Sequence, residues 1–202
     1  LASGASFPVG VTTNTFKVTD AMGNTATCSF TVTVNDTELP AISCPINISV
    51  PNDANLCSAV VTYSAPVGTD NCPGPNTVQT AGLASGSAFP VGVTTNTFKV
   101  TDAAGNTATC SFTVTVTDAQ GPQITCPANI TVDCDEDLDP YENDDLGIAG
   151  AVDNCPTNLD TFYTDIPMII LNDTCPTITR TWSAVDLAGN MATCTQTITI
   201  HD

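Results

Sequence analysis

Residues 1–36 and 83–118 are almost the same string, offset by 82 positions and differing at four of them. A period this long and this faithful fixes the architecture before any residue is interpreted: the chain is a tandem array of small domains. A diverged third copy follows, since TWSAVDLAGNMATCTQTITIHD (181–202) restates TFKVTDAAGNTATCSFTVTVTD (97–118) after 84 positions. A full unit runs from a PAISCP or PQITCP opening (40–45, 122–127) to a TVTVTD-type close. The expected division is therefore a C-terminal half-domain at 1–36, a complete domain at 37–118 and a diverged domain at 119–202. Residues 1–36 alone expose a sheet edge and half a core, so their complement is expected from a longer chain or from strands of another chain.

The strand signal dominates within each unit. In TCSFTVTV, Cys110, Phe112, Val114 and Val116 share one phase and Ser or Thr the other, as in a half-buried strand. Gly and Pro punctuate the chain, and no stretch has convincing helical periodicity. The expectation is an all-β fold of tandem sandwich domains. Linkers DTELP (36–40) and DAQGP (118–122) are short and end in Pro, so consecutive domains should stack end to end as a stiff rod.

Charge removes whole classes of partner. Against 21 acidic residues stand Lys17, Lys99 and Arg180, a net charge of −18. Nucleic acids and anionic membrane surfaces bind through Lys and Arg, so neither is an expected partner. No apolar run approaches the roughly 20 residues that cross a bilayer. Ten cysteines in regular register indicate disulfides and an oxidising, extracellular or cell-surface location.

In the complete unit, pairing Cys44 with Cys110 ties the domain's ends together, and pairing Cys57 with Cys72 closes a local loop. Four cysteines allow three connectivities, and the others stay open. By register, Cys126–Cys194 and Cys134–Cys155 match these two bridges in the third unit, leaving Cys175 single. Cys28 has its register partner in the opening half that residues 1–36 lack. A zinc site is disfavoured: no CxxC pair exists, and His201 is the one histidine.

Together TCPANITV, TDNC, FPVGVTTNTFKVTDAAGN and TATCSFTVTV resemble the HYR (hyalin repeat) domain, an immunoglobulin-like β-sandwich. The middle unit holds the whole pattern: Cys44-Pro45, Asp70-Asn71, Phe89 to Thr94, Asp102 to Asn106 and Cys110 to Val114. Residues 1–36 carry its second half. The third unit keeps Cys126-Pro127, Asp153-Asn154 and Asp186 to Asn190 but lacks Phe-Pro-Val-Gly, and resembles a related version found in large bacterial surface proteins. That version often has a cysteine inside the Asp-Xaa-Xaa-Gly-Asn turn, and its loss here accounts for a single Cys175. The resemblance implies extracellular adhesion and matrix assembly without catalysis.

The Asp-Xaa-Xaa-Gly-Asn elements (Asp20–Asn24, Asp102–Asn106, Asp186–Asn190) lie between alternating runs and read first as hairpin turns. Their oxygens are also of the type calcium takes. The candidate calcium set is Asp70, Asp102, Asn106, Asp153, Asp186 and Asn190 with the linker aspartates, and Asp135, Asp137 and Asp139 of the acidic run 133–145. That run holds eight carboxylates in 13 residues without EF-hand spacing, and its first reading is a solvated loop. Trp182 replaces Phe16 and Phe98 and reads as core. No hydrolase triad forms around His201, and a glycosidase pair would need an aromatic-lined cleft. Sequons at Asn35, Asn47, Asn129 and Asn172 are candidate N-glycan sites.

The expected function is a non-catalytic structural or adhesive segment of an extracellular filament, stalk or adhesin. Its partners are neighbouring repeats or identical chains, or else glycans and surface proteins. The alternatives are a calcium-dependent carbohydrate- or protein-binding module, and accessory repeats of a secreted enzyme.

Overall fold

The repeated string folds into a long hairpin in each copy. In the computed structural model, which describes residues 4–155, 159–166 and 177–201, the first copy forms β1 (Gly10–Thr19) and β2 (Thr25–Val34). They pair antiparallel from Gly10–Val34 to Thr19–Thr25 as a two-stranded sheet of their own. The second copy adds the front half: β3 (Ile48–Pro51), β4 (Ser58–Val61), β5 (Asn76–Ala81), β6 (Ser87–Pro90), β7 (Gly92–Thr101) and β8 (Thr107–Thr117). These make a four-stranded sheet, β3-β8-β7-β5, and a ribbon, β4-β6, with β3 parallel to β8. The third copy has β9 (Gln123–Thr125), β10 (Ile130–Asp133), β11 (Gly150–Val152), β12 (Asp160–Ile166), β13 (Thr177–Val185) and β14 (Met191–His201). Its four-stranded sheet repeats the plan, β10-β14-β13-β12 with β10 parallel to β14, while its β11-β9 ribbon is the counterpart of the isolated Ala41–Thr69 bridge of the second copy. The fold is all-β; a 3-10 turn at Asp144–Leu146 is the one helical element among the described residues.

Packing gathers the chain into two units. One comprises Leu1–Ile46, Tyr63–Ala84 and Thr95–Phe112, and the other Asn47–Thr62, Ser85–Thr94 and Thr113–Asp202. In the first unit, the Tyr63 ring meets Phe112 edge-on at 5.0 Å and Phe98 at 6.3 Å. Its hydroxyl donates to the Leu83 carbonyl at 2.6 Å. Asn96, fully buried, accepts at Oδ1 from the Leu83 amide (2.7 Å) and from Gln79 Nε2 (3.0 Å). Gly82 lies alongside at φ 87°, where an added Cβ would fall 2.0 Å from Asn96 Oδ1, so only glycine fits. The near-identical first copy contrasts sharply. Phe98, Val100 and Phe112 are 4%, 0% and 3% exposed, whereas their equivalents Phe16, Val18 and Phe30 are 59%, 66% and 51% exposed. β1 and β2 thus present to solvent a face that is core in the second copy.

In the second unit Val132, Leu146, Ile178, Ile198 and Ile200 form one core cluster. Trp182 is wholly buried, with Nε1 donating to Gln196 Oε1 at 3.3 Å, which fits a core residue and leaves no exposed platform for a sugar ring. Arg180 is also buried. It meets Asp165 through Nε–Oδ1 (2.8 Å) and Nη2–Oδ2 (2.9 Å), stacks 4.2 Å over the Tyr163 ring and donates to the Leu138 carbonyl. Gln196 Nε2 donates to the carbonyls of Leu146 (2.8 Å) and Ala128 (2.9 Å). The acidic run 133–145 is therefore exposed along most of its length but held at Leu138 by Arg180 and at its flanks, Ala128 and Leu146, by Gln196.

Disulfides Cys44–Cys110 and Cys126–Cys194 tie opening to closing segments, with Cα–Cα distances of 5.6 and 5.8 Å. The expected Cys57–Cys72 and Cys134–Cys155 pairs do not form. Cys57 is bonded instead to Cys155, 98 residues away, and Cys72 is a free thiol, as is exposed Cys28. Cys134 is disulfide-bonded as well, but Cys155 is committed to Cys57. The reason is spatial: Cys72 lies beside Asp36 of the linker before its repeat, whereas Cys57 follows a loop bonded to Gln120 of the linker after it. Cys175 and Asn172 lie outside the described residues.

Candidate functional site

Each Asp-Xaa-Xaa-Gly-Asn element closes on itself in the same way. In the middle copy, the Asn106 amide donates to Asp102 Oδ1 (2.7 Å) and Asn106 Nδ2 to Asp102 Oδ2 (2.8 Å). Asp186–Asn190 repeats this at 2.8 and 2.8 Å, and Asp20–Asn24 at 2.8 and 2.9 Å. Gly23, Gly105 and Gly189 supply the positive φ that lets the strand turn back. Burial acts to raise the Asp102 and Asp186 pKa values, but the hydrogen bonds from asparagine side chain and backbone outweigh it and hold both below the usual carboxylate range.

The asparagine amides then reach outward to the linkers. Asn106 Nδ2 donates to the Asp36 carbonyl (3.3 Å), and Asn190 Nδ2 to those of Asp118 (3.3 Å) and Gln120 (3.4 Å). At each linker the aspartate meets the Asp-Asn-Cys loop of the following repeat. Asp36, Asp70 and Cys72 bring their carboxylate oxygens and sulfur within 4.8 Å of one another, and Asp118, Asp153 and Cys155 do the same. Both loops are held alike, the Cys72 amide donating to Asp70 Oδ1 and the Cys155 amide to Asp153 Oδ1, each at 2.8 Å. Asp70 Oδ2 and Asp153 Oδ2 are buried without a hydrogen-bond partner. A hydrogen bond to Asp36 is the main cause of a raised Cys72 thiol pKa, with burial and the charges of Asp36, Asp70 and Asp102 adding to it.

The second cluster is also clamped from the preceding repeat. Besides the Cys57–Cys155 bridge, Asn154 Nδ2 donates to the Leu56 carbonyl (3.0 Å). The Asn55 amide donates to Gln120 Oε1 (2.7 Å), and the Ala119 amide to Asn52 Oδ1 (3.0 Å). In the first cluster the equivalent side chains face each other, Asn71 Nδ2 donating to Glu38 Oε2 at 2.9 Å. A cleft of about 210 Å³ beside the second cluster is smaller than the roughly 300–1,000 Å³ usual for small-molecule sites.

Of the candidate calcium residues, the structure brings Asp70 and Asp153 to the linker aspartates. It occupies both carboxylate oxygens of Asp102 and Asp186 with Asn106 and Asn190. Asp135, Asp137 and Asp139 join neither cluster: Asp137 Oδ1 accepts from the Asp139 amide and Asp139 Oδ1 from the Tyr141 amide, both at 2.9 Å. The clamp residues Asn52, Asn55, Glu38 and Gln120 escaped sequence reasoning. The available signal is the shared register of Glu38 and Gln120, each two residues after a linker aspartate; Asn52 and Asn55 carry none. Sequon residues Asn47 and Asn129 are exposed and equivalent, their Oδ1 atoms accepting from the Thr113 (2.9 Å) and Thr197 (2.8 Å) amides.

The HYR domain family model matches residues 1–34 and 35–116, more than half of the chain. Hyalin of Strongylocentrotus purpuratus is 42% identical over 118 residues, which is 56% of this chain and 10% of that protein. Hyalin of Lytechinus variegatus is 34% identical over 115 residues, 55% of this chain and 22% of that protein. A sushi, von Willebrand factor type A, EGF and pentraxin domain-containing protein of Rattus norvegicus is 35% identical over 107 residues, or 52% of this chain and 3% of that one. The chain thus spans a small part of each relative's length. Protocadherin Gamma B2 extracellular cadherin domains 3-6 align at a TM-score of 0.43 and 13% identity, covering 93% of this chain and 59% of that one, a likeness too remote to inform the reading.

Proposed function

Because the chain belongs to the HYR domain family, we propose that it is a distance-holding segment of an extracellular adhesive array, with clamped joints rather than a reaction centre as its working parts. The Cys57–Cys155 bridge carries this reading, since it bonds the 37–118 segment covalently to the 119–202 segment. Around it the asparagine of each closing hairpin grips the incoming linker, so the joint has a covalent and a hydrogen-bonded component. Disulfides persist in an oxidising exterior, which agrees with that location, and no described helix is long and apolar enough to cross a membrane. Small-angle scattering of the oxidised chain should give a narrow distribution of distances between 37–118 and 119–202. Cys57→Ser with Cys155→Ser should broaden it with both sandwiches still folded. An unchanged distribution would sink the proposal.

A second reading is favoured by one observation: the paired carboxylates Asp36–Asp70 and Asp118–Asp153, with buried unpartnered oxygens at Asp70 and Asp153. Adjacent carboxylates repel unless a cation lies between them, and hard oxygen donors suit calcium. Under this reading calcium stiffens the joints. Calorimetric titration should show uptake lost in Asp70→Asn with Asp153→Asn and retained in Asp135→Asn, while no heat in the unaltered chain would exclude it.

A further inference from the structure

The two linker clusters match in aspartates, loop hydrogen bonds and sulfur position, and differ at the sulfur: Cys155 is bonded to Cys57, whereas Cys72 forms no disulfide. We propose that Cys72 is half of a second inter-repeat disulfide, whose other half is a cysteine at the Cys57 position of the repeat that precedes residue 37 in the same polypeptide. This rests on the clamped-joint reading above and extends it from one joint to a rule for the array.

Three features around Cys72 prepare it for such a loop. Asn71 stands where Asn154 donates to the Leu56 carbonyl, and Glu38 where Gln120 accepts from the Asn55 amide. In the first cluster these two exposed side chains satisfy each other at 2.9 Å. Docking a loop of the Asn52–Ser58 kind would exchange that single contact for the two seen at the second joint. Cys72 is itself half-buried, so its sulfur is shielded yet reachable. The raised thiol pKa keeps it protonated and slow to oxidise before a partner arrives. Cys28 points the same way from a different register: its equivalent Cys110 bonds Cys44, and the Cys44 equivalent belongs to that same front half. A single front half carrying both of these cysteines would supply partners for both free thiols.

Chemically, two S–H bonds are replaced by one S–S bond. The two protons and two electrons pass to an oxidised dithiol carrier of the secretory route, whose own disulfide is reduced to two thiols, by exchange through a mixed disulfide.

The test is non-reducing peptide mapping of the protein isolated from its natural source, with free thiols alkylated at once. The expected result is the Cys72 peptide linked to an upstream cysteine peptide of the same polypeptide, together with the Cys57–Cys155 link. Alkylated Cys72, or Cys72 bonded to Cys28 or to a second polypeptide, overturns the inference while leaving the clamped joint intact. Absence of Cys57–Cys155 as well overturns both. On the 202-residue chain itself, the peptide PNDANLCSAV, activated as a mixed disulfide, should couple to Cys72 about tenfold faster than a scrambled peptide. That preference should vanish in Asn71→Ala and be absent at Cys28. Equal rates for both peptides at Cys72 would count against the proposal.

Discussion

Asp36 governs the chemistry of Cys72, because the carboxylate disfavours a thiolate beside it. Iodoacetamide at pH 8 should label exposed Cys28 well before Cys72, and Asp36→Asn should speed Cys72 labelling several-fold, read by intact mass. The turn aspartates make a pH prediction. Their folded pKa values lie below the unfolded ones, so the stability they contribute is present above about pH 4 and lost as pH falls through the folded values. The protection factors of the Asn106 and Asn190 amides, taken against the intrinsic exchange rate at each pH, should therefore fall on acidification. Asp102→Ala should show fast Asn106 exchange at neutral pH. The Asp-Xaa-Xaa-Gly-Asn turn was legible in the sequence because its chemistry is contained within five residues. The pairing of Cys57 was not, since register relates equivalent positions in different repeats and is silent on which loops meet through space.

At the scale of elements, one buried polar position is used twice for the same task. Asn96 on β7 and Arg180 on β13 are equivalents 84 positions apart. Each is fully buried, and each reaches out of its strand to hold loop backbone, Asn96 at the Leu83 amide and Arg180 at the Leu138 carbonyl. Gly82→Ala should destabilise the fold by roughly 2 kcal/mol or more, from a positive φ and a clash into Asn96. Arg180→Ala should cost on the order of 3 kcal/mol by leaving Asp165 unpaired, while releasing the acidic run. Urea unfolding checks both, with limited proteolysis within 133–145 for the second. The alternating pattern announced the strands themselves. It could not announce these anchors, because the third copy puts arginine where asparagine stood, and Gln196 where Phe112 stood.

For the whole molecule, period and composition were enough for an all-β tandem array. The joint chemistry was hidden because it arises only when two repeats are folded and adjacent. The uncovered face of β1 and β2 has its own consequence: Phe16→Ser with Phe30→Ser should reduce self-association in ultracentrifugation and leave the melting temperature of the remaining chain unchanged. The Cys44–Cys110 and Cys126–Cys194 bridges also decide how tension travels. A pull entering at Cys44 crosses directly to Cys110, and one reaching Cys126 crosses to Cys194, so most strands hang beside the taut path instead of lying in it. Only the 16 residues from Cys110 to Cys126 can pay out, about 55 Å at roughly 3.4 Å per residue. The same span reduced offers the 150 residues from Cys44 to Cys194, or about 500 Å. Optical-tweezer traces with and without reductant should differ in contour length by about 450 Å, and a strand of such repeats behaves as a short-linked chain with a fixed limit of stretch.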